Sequence, residues 1–123
     1  MPYLDHPLLS QAAALLYSIV TQIVPASCPL EQIETILQQL SQEIARQAAE
    51  RHAASQVAEA EQETPSCACG RRMVAEQRRC RTLLLLFGPI RFPLRRYRCP
   101  ACGVWGCPAA ERLGLSSRRR RCW

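Results

Sequence analysis

The chain has 123 residues, which is about one ordinary domain and short for an enzyme that must also build a large substrate site. All sixteen basic residues are arginines, and their distribution is uneven. Residues 1–66 carry two arginines and eight acidic residues, a net charge of −6, whereas residues 67–123 carry fourteen arginines and two glutamates, a net charge of +12. This asymmetry predicts that the second part binds a polyanion while the first part has another role.

A first helix is predicted between Pro7 and Pro25. Apolar residues recur at helical spacing from Leu8 to Val24, but polar residues interrupt the run, which favours a buried or partner-facing helix over a membrane span. The N-terminus lacks the basic start and the cleavage site of a secretory signal. We therefore expect a cytoplasmic protein with no membrane partner, in a reducing compartment where eight cysteines serve a metal rather than disulfides.

A second helix is predicted from about Leu30 to the Ala53–Ala54 pair. Its apolar residues alternate spacings of three and four, which is the pattern of a two-heptad seam formed by Leu30, Ile33, Leu37, Leu40 and Ile44. We interpret this seam as packing against the first helix, with a homodimer through the Leu30–Ile44 helix as the alternative. The polar sequence that follows, up to Pro65, predicts a fraying helix end and a linker.

The sequence then changes to the pattern of a β-hairpin. Strands are predicted over Thr82–Phe87 and Ile90–Arg98, on either side of a turn at Gly88–Pro89. Pro93 donates no backbone hydrogen bond, so the second strand is predicted at an edge or a bulge. The second strand also alternates in polarity, which predicts one apolar face made of Ile90, Phe92 and Leu94.

Two cysteine pairs flank this hairpin: Cys67 and Cys69 precede it, and Cys99 and Cys102 follow it. Cysteine pairs on tight turns that a hairpin brings together are the layout of a zinc ribbon, in which four thiolates surround a tetrahedral ion. A glycine directly follows each pair, and glycine tolerates the positive φ that such turns need. The sequence therefore predicts a structural Zn²⁺ site with these four cysteines as ligands.

The spacing leaves two alternatives open. Only one residue separates Cys67 from Cys69, and an extended chain would send these side chains apart, so Cys80 or Cys107 could replace one of them as a ligand. The CPAC sequence of the second pair has the spacing of thiol oxidoreductases, but the βαβ context of those sites is missing.

Arginines surround the cysteine turns, and the planar guanidinium suits bidentate contacts with phosphate. We expect DNA as the partner, because phosphate contacts supply most of the affinity of such basic elements. Tyr97 and Trp105 are interpreted as packing around a small metal core, with stacking on exposed bases as the alternative. The predicted nucleic-acid-binding residues are Arg71, Arg72, Arg78, Arg79, Arg81, Arg91, Arg95, Arg96, Arg98, Arg118, Arg119, Arg120 and Arg121.

These motifs resemble the N-terminal region of ISKra-type insertion-sequence transposases. The resemblance covers about Leu30 to Ser117 and is carried by RRYRC (Arg95–Cys99), Cys102–Gly103 and ERLGL (Glu111–Leu115). It implies a helical segment and a zinc-ribbon-like DNA-binding element, followed in the family by a catalytic domain with three metal-binding acids. Only Ala68 separates the first cysteines where the family usually has two residues, and alanines replace the acids before LGL.

The sequence therefore predicts an α+β fold with an N-terminal helical hairpin followed by a small zinc-ribbon-like β-hairpin element. The predicted divisions are a helical packing or dimerisation region over residues 1–64, the nucleic-acid-binding element over 65–117, and a basic tail over 118–123. The expected function is that of a non-catalytic, DNA-binding fragment of a transposase that lacks the catalytic domain. The alternative is a non-catalytic protein-interaction module, with amphipathic helices and a structural zinc clip.

Overall fold

The computed structural model describes residues 2–115. Helices come first and small antiparallel sheets follow, which confirms the predicted α+β class. The chain divides into two compact units, Met1–Ile44 and Ala45–Trp123. This division lies earlier than the predicted boundary at residue 64, because the C-terminal half of the second helix belongs to the second unit. The predicted basic tail lies outside the described residues.

The first unit is helical. It contains a short 3-10 helix, Pro2–Asp5, helix α1, Leu8–Ile23, and the start of helix α2, Leu30–Ala60. No side chain of α1 is buried, and several large apolar ones are exposed. The seam predicted on α2 is half-buried in its middle and exposed at its ends, Leu30 and Ile44. None of the helices within residues 2–115 is long and apolar enough to cross a membrane.

Helix α2 continues beyond its predicted end. The polar sequence that was expected to fray is helical through Ala60, so that part of the prediction was wrong, whereas residues 61–65 form the expected linker. Ala53 and Val57 lie one turn apart on this part of the helix and are only 4% and 1% exposed. Their burial against the strands stabilises a segment whose own sequence favours no long helix, because tertiary packing supplies most helical stability in proteins.

Up to residue 115, the second unit also contains five strands and a short helix. The strands are β1, Val74–Ala75; β2, Arg79–Leu85; β3, Gly88–Leu94; β4, Tyr97–Arg98; and β5, Trp105–Gly106, and helix α3 spans Pro108–Arg112. Strands β2 and β3 form an antiparallel hairpin, and a separate three-stranded sheet has the order β1-β4-β5. The second predicted strand is therefore divided, since its last residues belong to the other sheet.

The hairpin turn lies at residues 86–87, two positions before the predicted turn. Leu85 pairs with Gly88, and Gly88 has a φ of 114°. The register is continuous from this pair to Arg79 and Leu94, and glycine adopts a positive φ at the end of the turn without a steric cost. The glycine was therefore a correct signal of a turn, but its place in that turn was misassigned.

The core of the second unit lies between α2 and the hairpin. The predicted apolar face of the second strand is confirmed, because Ile90, Phe92 and Leu94 are at most 3% exposed. They pack with Val57 and other residues of α2 and with Ala109 of α3. Burial of each such large side chain contributes about 1.5–3 kcal/mol relative to its exposure. This core fixes the position from which the chain continues into the second cysteine pair.

Polar side chains of α2 cover the outer edge of β3. The two prolines of this strand, Pro89 and Pro93, occupy edge-facing positions and bring no N–H, which confirms the predicted edge location of Pro93. The edge-facing donors of the neighbouring residues bind carboxylates, so the edge offers little to another strand. Two hydrogen bonds make this cover, Arg46 Nη1 to Pro89 O at 3.2 Å and Arg91 N to Glu50 Oε2 at 2.9 Å, and a third, Arg95 N to Glu61 Oε1 at 2.9 Å, joins the residues that directly follow β3 and α2.

Candidate metal centre and arginine surface

Four thiols form a cluster at the junction of the two cysteine turns. The Sγ atoms of Cys67, Cys69, Cys99 and Cys102 all lie within 4.8 Å of one another. The Sγ–Sγ distances are 3.4 Å for Cys67–Cys102, 3.5 Å for Cys69–Cys99 and 3.3 Å for Cys99–Cys102. These distances are too long for disulfide bonds, and they approach the ~3.8 Å separation of sulfurs on a tetrahedral ion with bonds of about 2.3 Å. The four cysteines could hold a metal ion.

The first cysteine turn brings its two sulfurs together although only one residue separates the cysteines. The N–H of Gly70 donates to Cys67 O at 2.9 Å, and the N–H of Cys67 donates to Arg71 O at 2.8 Å. Gly70 has a φ of 90°. Because the chain reverses here instead of extending, Cys67 and Cys69 place their sulfurs on the same side.

The second turn joins strands β4 and β5. The N–H of Gly103 donates to Cys99 O at 3.0 Å, and the N–H of Cys99 donates to Val104 O at 2.9 Å. Gly103 has a φ of 71°, and no atom lies within 4 Å of the position that a Cβ would take there. The backbone conformation, and not a lack of space, therefore requires glycine, as the sequence predicted.

A small apolar core packs against the four-thiol cluster. Met73, Tyr97 and Cys99 are buried together, and Cys67 packs against them. Burial raises the pKa of Tyr97, and the nearby Glu61 carboxylate raises it further. Tyr97 therefore packs as a neutral side chain under the cluster, in agreement with the interpretation of its role from sequence.

The cluster favours a thiolate at Cys99. The backbone N–H of Cys102, which points at the Cys99 sulfur, is the main cause that lowers the pKa of Cys99 to about 6. The pKa of Cys102 is raised, first by its hydrogen bond with Cys69 and then by those with Cys99 and Cys67. The two pKa values move in opposite directions because the crowded thiols share hydrogen bonds, and a bound cation would favour the deprotonated form of both sulfurs.

The alternative ligands lie outside the cluster. Cys80 is exposed on β2. Cys107 is half-buried directly before α3, and its thiol donates to Arg95 O at 3.6 Å. The redox alternative also lacks its structural context, because every strand pair in the described residues is antiparallel.

The arginines fall into two groups. Three of them pair with carboxylates in or directly after α2: Arg46 with Glu50, Arg78 with Glu61, and Arg112 with Glu59. Five exposed arginines form no ion pair within the described residues, and these are Arg51, Arg71, Arg72, Arg91 and Arg98. Arg79 is exposed on β2, whereas Arg81 and Arg95 are half-buried. The predicted contacts at Arg118, Arg119, Arg120 and Arg121 lie outside the described residues.

Trp105 holds two arginines beside the cluster. The guanidinium carbon of Arg96 lies 3.6 Å from the centroid of the Trp105 ring, and that of Arg98 lies 5.4 Å from it. Arg98 is directly opposite Trp105 in the β4–β5 pair, and Arg96 also pairs with Glu76 at 3.8 Å. Arg96 and Arg98 thus share one face. We call Arg96, Trp105 and Arg98 the Arg–Trp–Arg stack.

Two features of the site escaped the sequence analysis. Glu61 lies in the polar run that resembled a linker, yet its side chain is 3% exposed and joins Arg78 to the backbone of Arg95. The contact of Trp105 with both arginines depends on the pairing of β4 with β5, which no local pattern indicated.

Comparisons with protein families, with curated proteins and with solved structures return no match.

Proposed function

We propose that the chain is a DNA-binding zinc ribbon, in which a structural ion fixes two turns and thereby positions arginines against the phosphate backbone. The observation that carries the proposal is the four-thiol cluster, with the Arg–Trp–Arg stack on the chain segments that flank its second turn. Four sulfurs in a closed tetrahedral arrangement suit Zn²⁺ in a structural role, because no position is left for a substrate.

The charge distribution supports a nucleic-acid partner. Glu50, Glu59 and Glu61 pair with three arginines of the second unit, and apart from Arg51 the exposed arginines without such a pair lie near the cysteine turns and on the hairpin. Stacking on Trp105 restricts the guanidinium of Arg96 before any ligand binds, which reduces the entropy that a phosphate contact must overcome. The resemblance to the N-terminal region of ISKra-type transposases supports DNA transposition as the process, with this chain as a non-catalytic part.

The test is a salt titration of duplex DNA binding by the wild type and by the double variant Arg96→Ala/Arg98→Ala. Loss of one or two phosphate contacts should reduce the slope of log affinity against log salt by about one to two units. Affinity should fall by a similar factor for unrelated sequences. Arg51→Ala is the matched control, since Arg51 is exposed on α2 away from the cysteine turns. An unchanged slope in the double variant would contradict this contact surface.

Exposed apolar side chains in the first unit favour a second candidate, a protein-interaction module. Leu15, Tyr17 and Ile23 of α1 are each more than half exposed. In this alternative the helices bind a protein, a second copy of the chain included, and the zinc turns act as a clip. Apolar interfaces respond weakly to salt, whereas phosphate contacts weaken steeply as salt rises. Absence of DNA binding by the zinc-loaded protein at low salt would favour this alternative.

A further inference from the structure

A cleft of about 250 Å³ opens beside the Arg–Trp–Arg stack. Its apolar walls are formed by Trp105, Ala110 and Leu115. The cleft is also lined by the guanidinium of Arg96 and the carboxylate of Glu111. Trp105 is 43% exposed, so part of its indole surface remains open to a ligand. Within the described residues, no arginine forms an ion pair with Glu111.

The volume and the lining residues of this cleft suit a ligand with one flat ring system that carries hydrogen-bond donors. Pockets that enclose drug-sized ligands have volumes of about 300–1,000 Å³, so this smaller cleft suits a single ring system. Indole and guanidinium planes both stack on nucleobases. A glutamate accepts hydrogen bonds from exocyclic amino groups, such as that of cytosine.

Resting on the proposed function, we propose that this cleft binds one unpaired base that bears an exocyclic amino group, while Arg98 contacts the backbone beside it. A base within a duplex cannot enter, because its amino edge is paired and both its faces are stacked. The chain therefore binds DNA with an extruded or single-stranded cytosine or adenine more tightly than fully paired DNA. The zinc ribbon thus recognises an unpaired base in DNA as well as the phosphate backbone.

The test compares three duplexes of equal length: one fully paired, one with a single unpaired cytosine, and one with an abasic nucleotide at that position. We expect the wild type to bind the cytosine duplex at least about fivefold more tightly than either of the others, which is the lower end of the effect of one stacked base. Replacement of the unpaired cytosine by thymine should remove part of this preference, because thymine offers no exocyclic amine.

Two variants locate the effect in the cleft. Trp105→Leu should bring the affinity ratio of the cytosine and abasic duplexes close to one, and native mass spectrometry establishes that the variant still holds its metal. Glu111→Gln changes an exposed side chain without changing its shape, and it should reduce the preference for cytosine over thymine. Arg51→Ala should keep both ratios, since it lies outside the cleft.

The outcomes separate this inference from the proposed function. Equal affinity of the wild type for all three duplexes would overturn the base-binding cleft and leave the DNA-binding ribbon intact. A preference that survives both Trp105→Leu and Glu111→Gln would place the base elsewhere and also overturn the inference. Absence of binding to every duplex and single strand at low salt would overturn both proposals.

Discussion

The glycines after the two cysteine pairs, Gly70 and Gly103, have φ values of 90° and 71°. At both positions the surrounding space would admit a methyl group, so the requirement for glycine comes from the backbone alone. Each glycine donates its N–H back to the first cysteine of its turn. The local sequence was sufficient to predict these turns, because every contact that defines them lies within six residues.

Gly103→Ala should weaken metal binding without abolishing it. An L-residue in the left-handed region costs roughly 1–2 kcal/mol, which corresponds to an affinity loss of about five- to thirtyfold for the ion. Competition with a chromophoric chelator measures this loss. Gly106→Ala is the control, because its φ is not positive and its new methyl group would make only ordinary contact with Met73. Equal affinities for the two variants would contradict the role assigned to the φ of Gly103.

Cys99→Ser should remove the ion. Cys99 is fully buried in the cluster, and structural zinc supplies folding free energy in small domains of this kind. Native mass spectrometry of the wild type should show one bound Zn²⁺, which this variant loses. Cys80→Ser, which changes an exposed thiol outside the cluster, should retain it. A metal-free wild type with fully native circular dichroism would contradict the zinc ribbon.

At the scale of elements, helix α2 shows where sequence analysis stopped being sufficient. Its first half has a recognisable seam, and its start at Leu30 was predicted correctly. Its second half is rich in polar residues, and it is helical because Val57 is buried and Glu61, directly after the helix, binds the backbone N–H of Arg95 at the end of the hairpin. Both contacts join residues more than thirty positions apart in sequence, so no window along the chain contains the information that extends the helix to Ala60.

Glu61→Ala should lower the stability of the second unit. The substitution leaves the N–H of Arg95 without its acceptor and removes the partner of Arg78, whose Nη2 lies 2.7 Å from the carboxylate. An unsatisfied buried polar group costs about 1–3 kcal/mol. Urea unfolding of the zinc-loaded protein measures the change. Glu63→Ala removes the same charge from an exposed neighbour and should cost much less. Equal losses in the two variants would mean that Glu61 stabilises through charge alone.

Leu37→Asp tests the seam in the first half of α2. Leu37 is half-buried, and a carboxylate among the apolar seam residues is poorly solvated. We expect lower helicity by circular dichroism or, if two chains meet at this seam, dissociation by sedimentation. The control is Gln38→Asp, which introduces the same charge at the adjacent exposed position. Indistinguishable spectra and sedimentation for the two variants would mean that the seam is not a packing surface.

For the whole molecule, the separation of charge along the chain is the feature that sequence predicted most directly. Residues 1–44 contain four acidic residues and no arginine, so the first unit is acidic throughout. Sequence alone did not show that Glu61 pairs with Arg78 or that Glu59 pairs with Arg112, because each pair joins residues that are far apart along the chain. The salt dependence proposed above therefore belongs to the exposed arginines near the metal turns.

The covered edge of β3 has a consequence for the order of events during synthesis. The segment TLLLLF in and after β2 is apolar and uncharged, which is the composition of sequences that aggregate through added strands. Helix α2 precedes this hairpin along the chain, so Glu50 and Glu61 leave the ribosome before the strands do. Their carboxylates are already present when the β3 edge forms, which shortens the time in which a neighbouring nascent chain could pair with it.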